Sequence, residues 1–279
     1  MNPAFPKGRG RIERKSGVNR IERKFKELKK KRKKAFIAFI TAGYPNLGLT
    51  RKLVFELAGS GVDILELGVP FSDPMADGRV IQEASQKALE HKVNLGAILR
   101  LVKAARSRTE IPICLMSYYN PIFCFGEEKF VQAAVRSGVD GIIIPDLPPE
   151  EARPLVKLTH KYGLDLVCFI SPTTSTKRIK YISAAARGFI YYVSFKGVTG
   201  SRQALAGDIK GQLKAIKRIT KKPVCVGFGV ATAQQVKEIY QIADGVIVGS
   251  AIINKIKENI GRPDLIKRVG GFTRRLSDV

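Results

Sequence analysis

The chain has 279 residues, of which 49 are Lys or Arg and 24 are Asp or Glu, so its formal net charge is +25. A hydrophobic content of 44% allows a sizeable core, which excludes a chain that is disordered throughout. No apolar run approaches the roughly 20 residues that cross a bilayer, and the basic amino terminus lacks the apolar stretch of a secretory signal. We therefore expect a cytoplasmic protein that has no membrane partner.

The positive charge is concentrated near the amino terminus. Residues 1–34 contain 15 Lys and Arg against 3 Asp and Glu, which accounts for about half of the excess. Residues 1–18 combine Pro, Gly and Arg with few apolar side chains, and we predict a basic flexible tail there. So large a charge makes a polyanion the first partner to consider.

The next segment has the pattern of a short amphipathic helix. Ile21, Phe25 and Leu28 recur at helical spacing within residues 19–33. We interpret the basic run at 29–34 as a solvated helix face, with a site for nucleic acid or an acidic partner as the alternative. Nucleic acid is the less favoured partner, because few aromatic side chains that stack on bases lie near the run.

From residue 35 onward, short apolar runs alternate with amphipathic stretches of helical periodicity. The eight runs are residues 35–41, 63–69, 111–117, 141–145, 165–171, 189–194, 223–227 and 245–249. Continuous apolar runs are typical of strands covered on both faces, and strand–helix alternation is typical of right-handed βαβ units. Eight units predict an α/β fold, a single (β/α)8 barrel over residues 19–268 that includes the extra N-terminal helix, followed by a C-terminal tail at 269–279.

Two further sequence features bear on the predicted barrel. A doubly wound open sheet is the alternative fold, but the turn after the first run lacks the glycine fingerprint of such sheets. A weak repeat of small residues and Asp precedes three of the runs, at 61–63, 138–140 and 243–245. We interpret this repeat as shared turn chemistry.

The four cysteines indicate buried thiols in a reducing compartment. Cys114, Cys124, Cys168 and Cys225 form no CxxC pair, and three of them lie in or beside apolar runs. No metal site is expected, because neither histidine lies near a cysteine or near paired carboxylates.

The candidate catalytic carboxyls lie in and after the second apolar run. If Leu65 and Leu67 face the helices, the alternation of a strand turns Glu66 into the barrel. Burial raises the pKa of a carboxyl, which suits a general acid–base group, whereas the alternative is a structural ion pair with an inward Lys or Arg. Asp77 precedes Gly78 and a helical stretch, so it either caps that helix or faces a substrate.

Glycine-rich segments follow the last three runs. They are residues 197–201, 227–229 and 249–250. Glycine lets backbone N–H groups approach an anion closely, and the third segment opens a predicted helix whose amino terminus favours negative charge. Because barrels often bind phosphate after strands seven and eight, we expect a phosphate site here.

Several longer motifs occur in order between about residues 17 and 268. They are FITAGYP at 39–45, ELGVPFSDPMADG at 66–78, MSYYNP at 116–121, PDLP at 145–148, YYVS at 191–194, GVTG at 197–200, GFG at 227–229 and GSA at 249–251. This series resembles the tryptophan synthase alpha subunit family. The resemblance implies retro-aldol cleavage of indole-3-glycerol phosphate to indole and glyceraldehyde 3-phosphate in tryptophan biosynthesis. It also implies no cofactor in this chain, and an alpha2beta2 heterotetramer with a beta subunit that carries pyridoxal phosphate.

The resemblance assigns roles to individual residues. Glu66 matches the proton-transferring carboxylate of the family, Asp77 the carboxylate that holds the indole N–H, and Tyr191 a tyrosine beside the catalytic Glu. The matches to the indole pocket are Phe39, Ile81, Met116 and Tyr118, and the matches to the phosphate site are Gly200, Phe228, Gly229, Gly249 and Ser250. Thr199 falls in the segment that matches the mobile lid.

The sequence departs from the family pattern in two places near the site. Arg79 stands where the family often has Pro, and Phe195-Lys196 precedes the lid segment. Neither departure touches the two carboxyls. A stand-alone indole-releasing lyase and a barrel whose basic amino terminus binds nucleic acid or an acidic partner remain as alternative functions.

Overall fold

The computed structural model describes residues 18–193, 202–227 and 229–279, with the side chains of 202–208 left out. Eight parallel strands close into a barrel in which each strand pairs with its neighbour in sequence and the eighth pairs with the first. The strands are β1 Ala35–Thr41, β2 Ile64–Gly68, β3 Ile113–Met116, β4 Gly141–Ile143, β5 Asp165–Ile170, β6 Ile190–Val193, β7 Val224–Gly227 and β8 Gly245–Val248. The predicted (β/α)8 barrel is confirmed.

Helices surround the barrel on the outside. Over the described residues they are α1 Arg20–Lys30, α2 Leu47–Ala58, α3 Arg79–Glu90, α4 Leu95–Ala105, α5 Tyr119–Phe125, α6 Glu127–Ser137, α7 Arg153–Tyr162, α8 Thr176–Ala185, α9 Arg202–Ile219, α10 Ala233–Tyr240, α11 Ser250–Lys257 and α12 Leu265–Ser277. None of these helices is long and apolar enough to cross a bilayer. Most of them pack an apolar face onto the strands, which buries the outer layer of the core.

The inside of the barrel forms a second apolar cluster. Inward side chains such as Ile37, Ile64 and Ile247 fill its centre. The apolar face of α1 joins this cluster through Ile21, Phe25 and Leu28, so the helix closes the amino-terminal end of the barrel. The predicted amphipathic helix therefore acts as a plug for the barrel. The functional face lies at the opposite, carboxyl end of the strands.

The structure corrects two predicted boundaries. The helix predicted at 19–33 ends at Lys30, so most of the basic run at 29–34 lies in the exposed turn before β1 and not on a helix face. The predicted C-terminal tail at 269–279 is helical as far as Ser277, because Val269, Thr273 and Leu276 of α12 are buried. The predicted basic tail at 1–18 lies outside the described residues, except for Val18.

The weak aspartate repeat has a structural role at the amino-terminal end. Asp63 accepts a hydrogen bond from the backbone N–H of Phe36, Asp140 from that of Ile113, and Asp244 from the N–H of Val224. Each aspartate stands before one strand and satisfies an N–H group near the start of the preceding strand. Turn chemistry thus explains the repeat.

Candidate active site

Glu66 lies inside the barrel, where the alternation of β2 predicts it. It sits between Phe39 of β1 and Cys114 of β3 in the strand register, and its exposed fraction is 1%. Neither carboxyl oxygen has a hydrogen-bond partner among the described residues. Burial, and secondarily the charge of Asp77, raise the pKa of Glu66 to about 8. Glu66 is therefore mainly protonated at neutral pH, and no structural ion pair holds it within the described structure.

Asp77 lies on the loop that follows β2, close enough to Glu66 to influence its titration. Its Oδ2 accepts a hydrogen bond of 3.1 Å from the hydroxyl of Tyr118. Burial raises the pKa of Asp77 to about 6, and the Tyr118 hydroxyl acts in the opposite direction. At pH 7 the two neighbouring carboxyls thus hold different protonation states, Glu66 neutral and Asp77 mainly ionised. This difference allows one to donate a proton while the other stabilises positive charge.

Tyr118 anchors the loop that carries Asp77. Besides donating to Asp77, its hydroxyl accepts a hydrogen bond of 2.8 Å from the backbone N–H of Ala76. Its ring stacks on Phe71, with ring centroids 5.1 Å apart. One tyrosine at the end of β3 therefore fixes three points of the loop after β2. Sequence reasoning missed Phe71, although the motif at 66–78 contains it.

Two inward rings shape the carboxyl end of the barrel, and glycines make room for them. A Cβ atom at Gly68 would lie 2.5 Å from the Phe39 ring, and one at Gly227 would lie 2.6 Å from the Tyr191 hydroxyl. Burial, and then the charges of Glu66 and Asp77, raise the pKa of Tyr191 well above its usual value. Tyr191 is thus close enough to both carboxyls for their charges to influence its hydroxyl.

The remaining predicted residues belong to the indole pocket, to the phosphate site, or to the part of the chain outside the described residues. Met116 pairs with Gly68 across β2 and β3, and Ile81 of α3 packs partly buried against the core. Gly249 caps α11, which begins at Ser250, and a Cβ atom at Gly249 would lie 3.3 Å from the Phe39 ring. Gly229 follows β7 with a φ of +67°, and a Cβ atom added there would meet no atom of the described residues within 4 Å. Thr199, Gly200 and Phe228 lie outside the described residues, as does Phe195-Lys196.

Asp146 and Arg79, two further residues at the carboxyl end of the barrel, make contacts that support helix starts. Asp146, from the motif at 145–148, accepts hydrogen bonds from the backbone N–H of Tyr119 at the start of α5. Arg79 is the first residue of α3 and pairs with Glu83 at 3.1 Å. The first position of a helix accepts Pro readily and does not require it, so Arg79 leaves the helix intact. Within the described chain, no group of three His, Cys, Asp or Glu could hold a metal ion.

Comparison with known proteins shows which family the chain resembles. The sequence profile of the family described as "Tryptophan synthase alpha chain" matches residues 25–270. The chain belongs to this family. It is 45% identical over 259 residues to the tryptophan synthase alpha chain of Geobacter sp. (strain M21), covering 93% of this chain and 97% of that protein. The alpha chain of Thermoanaerobacter sp. (strain X514) is 40% identical, with 94% of this chain and 100% of that protein covered.

Solved structures agree with the fold. The crystal structure of tryptophan synthase subunit alpha from Legionella pneumophila str. Paris has a TM-score of 0.88 at 40% identity, with 94% of this chain and 98% of that chain covered. A tryptophan synthase structure from M. tuberculosis has a TM-score of 0.83 at 31% identity, with coverage of 94% and 98%. Membership of the tryptophan synthase alpha chain family confirms the predicted activity: the chain is a lyase that cleaves indole-3-glycerol phosphate in tryptophan biosynthesis.

Proposed function

We propose that Glu66 transfers the proton in the cleavage and that Asp77 holds the indole N–H. The observation that carries this proposal is the geometry of the two carboxyls: Glu66 is buried without a hydrogen-bond partner among the described residues, and Asp77, on the loop after β2, accepts a hydrogen bond from Tyr118. Burial raises the pKa of Glu66 to about 8 and that of Asp77 to about 6. A buried, neutral Glu66 is a competent acid, and an ionised Asp77 is a competent counterion. Tyr191, beside both groups, completes the catalytic set.

The cleavage requires that the indole ring gain one proton and that the C1′ hydroxyl of the substrate lose one. A proton from Glu66 adds to C3 of the indole ring, and positive charge then develops on the indole nitrogen. Asp77 stabilises that charge in a site from which water is largely excluded, where electrostatic interactions are strong. The C3–C1′ bond breaks as the C1′ hydroxyl loses its proton, which leaves indole and glyceraldehyde 3-phosphate and restores the protonation of Glu66.

The rest of the substrate is assigned to the neighbouring groups at the carboxyl end. Phe39, Ile81, Met116 and Tyr118 form the wall of the indole pocket. Gly229, Gly249 and Ser250 bind the phosphate with Gly200 and Phe228, and the amino terminus of α11 supplies a favourable dipole for the anion. Thr199 lies outside the described residues. From the family resemblance we propose that its segment excludes water from the bound substrate.

We further propose that the chain works without a cofactor of its own, in an alpha2beta2 assembly with a beta subunit that carries pyridoxal phosphate. A beta-subunit partner follows from the family. Exposed apolar side chains near the site support a contact there: Met75, on the loop after β2, is 84% exposed and Phe123 of α5 is 64% exposed. Both follow strands whose carboxyl ends surround Glu66.

Indole release from indole-3-glycerol phosphate tests these roles. The variants Glu66→Gln and Asp77→Asn should lose most activity, whereas Glu90→Gln and Asp73→Asn should keep it, because these matched carboxyls are exposed. Near-normal turnover in either first variant would contradict the assignment. Adding a beta subunit should raise the rate, and a rate indifferent to it would favour a stand-alone lyase.

A further inference from the structure

A separate cleft opens at the amino-terminal end of the barrel, opposite the catalytic face. Its volume is about 770 Å³, and the first turn of α1, the ends of α7 and α9, and the turns before β6 and β7 line it. Its charged lining comprises Lys161, Arg187, Lys221 and Lys222 against Glu22 and Asp165, together with His160. Cations thus outnumber acids in the lining, and none of these residues belongs to the proposed active site.

Several of these charges already have partners. Lys161 pairs with Glu128 at 3.1 Å, and Glu22 pairs with Lys26 at 2.6 Å. The Lys222 ammonium donates a hydrogen bond of 2.6 Å to the carbonyl of Ser183, and no carboxylate among the described residues pairs with it.

Arg187 and Lys221 are the cations that remain available. Neither has an ion-pair partner in the part of the chain that the structure describes, and both are exposed. The cleft therefore offers a guanidinium and an ammonium that are free to bind an anion, with the charge of Lys222 nearby. Exposed side chains of this kind lose entropy on binding, so an anion must carry several charges to hold them.

His160 reports the electrostatic field inside the cleft. It lies partly buried on α7, and its Nε2 atom has no hydrogen-bond partner among the described residues. Burial, followed by the positive charge of Arg187 and the smaller effect of Lys222, lowers the pKa of the imidazole. Arg187 and Lys222 lie on different turns and line the same cleft as His160, so their charges face one space.

We propose that this amino-terminal cleft binds a small oligophosphate anion through Arg187, Lys221 and Lys222. A planar guanidinium binds two phosphate oxygens at once, and ammonium groups add point charges. A diphosphate group carries enough charge to engage three cations together, and the cleft has room for it. The group could be free or attached to a nucleoside. This site is independent of the indole-3-glycerol phosphate site at the other end of the barrel.

Binding of diphosphate in the cleft can be measured through His160, with His91, the other histidine of the chain, as the control. The pKa of His160 is followed by NMR of the imidazole signals of the intact protein with inorganic pyrophosphate, and with sodium chloride at equal ionic strength. Bound diphosphate offsets the positive field, so the pKa of His160 should rise by about 0.5 or more. His91 is exposed and lies outside the cleft, so its imidazole signals at a fixed pH should be the same in both salts. An ADP titration then separates free diphosphate from diphosphate carried on a nucleoside.

Matched variants decide the assignment. The double variant Arg187→Gln, Lys221→Gln should abolish the pyrophosphate effect on His160, and Lys103→Gln, an exposed cation of α4, should retain it. All three chains should release indole at the same rate, since neither cation touches the catalytic groups. An unchanged His160 pKa in pyrophosphate, or an equal rise in the double variant, would overturn the proposal.

Discussion

The two ends of this barrel hold buried carboxyls in opposite environments. At the amino-terminal end, Asp140 is 0% exposed and pairs with Arg106 at 2.7 Å and Arg20 at 3.1 Å, while accepting the N–H of Ile113. At the carboxyl end, Glu66 is as deeply buried and has no partner among the described residues. The first carboxyl stabilises the fold, whereas the second retains a proton that chemistry can use. Stability and catalysis are thus separated along the barrel axis.

The charge of the chain follows the same division. Helices of a (β/α)8 barrel run opposite to the strands, so their carboxyl termini gather at the amino-terminal end. Basic side chains occupy the last turns of α7, α9 and α12, where they complement the negative end of each helix dipole. Part of the +25 charge therefore belongs to helix ends on the face that lacks the catalytic groups.

The largest expected effect comes from Glu66→Gln. The amide keeps the shape of the side chain but cannot donate a proton to the indole ring, so the rate of indole release should fall roughly 10²- to 10⁴-fold. The variant should keep the fold, because no described partner of Glu66 is lost. Steady-state kinetics measures the rate, and a circular dichroism melt checks the fold.

The same variant should change the pH dependence of stability. Folded Glu66 keeps its proton up to about pH 8, whereas the ordinary pKa is 4.5, so the free energy of unfolding should fall as the pH rises between these values. Glu66→Gln should remove this loss and be more stable than the wild type at pH 9. Urea unfolding at pH 5, 7 and 9 measures the difference, and parallel pH profiles for the two proteins would contradict a raised pKa.

At the amino-terminal end of the barrel, loss of a buried carboxylate should lower stability and leave the catalytic rate nearly unchanged. Asp140→Ala removes the buried carboxylate that Arg20, Arg106 and the N–H of Ile113 share, which should cost about 3–5 kcal/mol of unfolding free energy. The catalytic rate of the folded fraction should remain near normal. Urea unfolding and active-site titration measure the two quantities, with Asp278→Ala at the exposed terminus as control. A stable but inactive Asp140 variant would contradict the separation.

The pH profile of kcat/KM should depend on the protonation of both proposed catalytic carboxyls. Activity needs Asp77 ionised, so it should rise through about pH 6, and it needs Glu66 protonated, so it should fall through about pH 8. In Asp77→Asn the remaining activity, roughly 10²- to 10³-fold lower, should lose the acid limb and keep the alkaline one. An unchanged acid limb would assign it to another group.

The smallest expected effect comes from Tyr118→Phe. Its hydroxyl links the loop backbone to Asp77 and lowers the pKa of that carboxyl. Without it, the acid limb should move to higher pH and activity should fall about 10-fold, the value of one hydrogen bond to a charged group. The control Tyr181→Phe removes a hydroxyl from α8 and should leave the profile unchanged. A Tyr118 variant with the wild-type acid limb would show that Tyr118 does not tune Asp77.

Sequence patterns predicted the barrel strands but not the helix at the carboxyl terminus of the chain. Continuous apolar runs mark strands buried on both faces, which is why all eight strands could be located. Residues 269–279 lie beyond the series of family motifs, and the sequence analysis predicts a tail there. Gly270-Gly271 also has low helix propensity. In the structure Gly270 lies against the side chain of Glu56 on α2, so a small residue is required where α12 crosses that helix. Tertiary packing thus outweighs local propensity there.

For the candidate site, the sequence predicts the local features but not the long-range contacts. Alternation along β2 turns Glu66 inward, and this needs only local information. The bridge from Tyr118 to Asp77 joins residues 41 positions apart, so it depends on how two loops meet above the barrel. The absence of a described partner for Glu66 likewise depends on every neighbouring strand at once. Such long-range geometry leaves no periodic signal in one sequence.

The protonation of Glu66 is the central claim, and infrared spectroscopy tests it most directly. A difference spectrum between the wild type and Glu66→Gln should show the carbonyl stretch of a protonated carboxylic acid at neutral pH. This band should disappear on titration with a midpoint of about pH 8. A band that is missing at neutral pH, or one that titrates near the ordinary value of 4.5, would contradict the account.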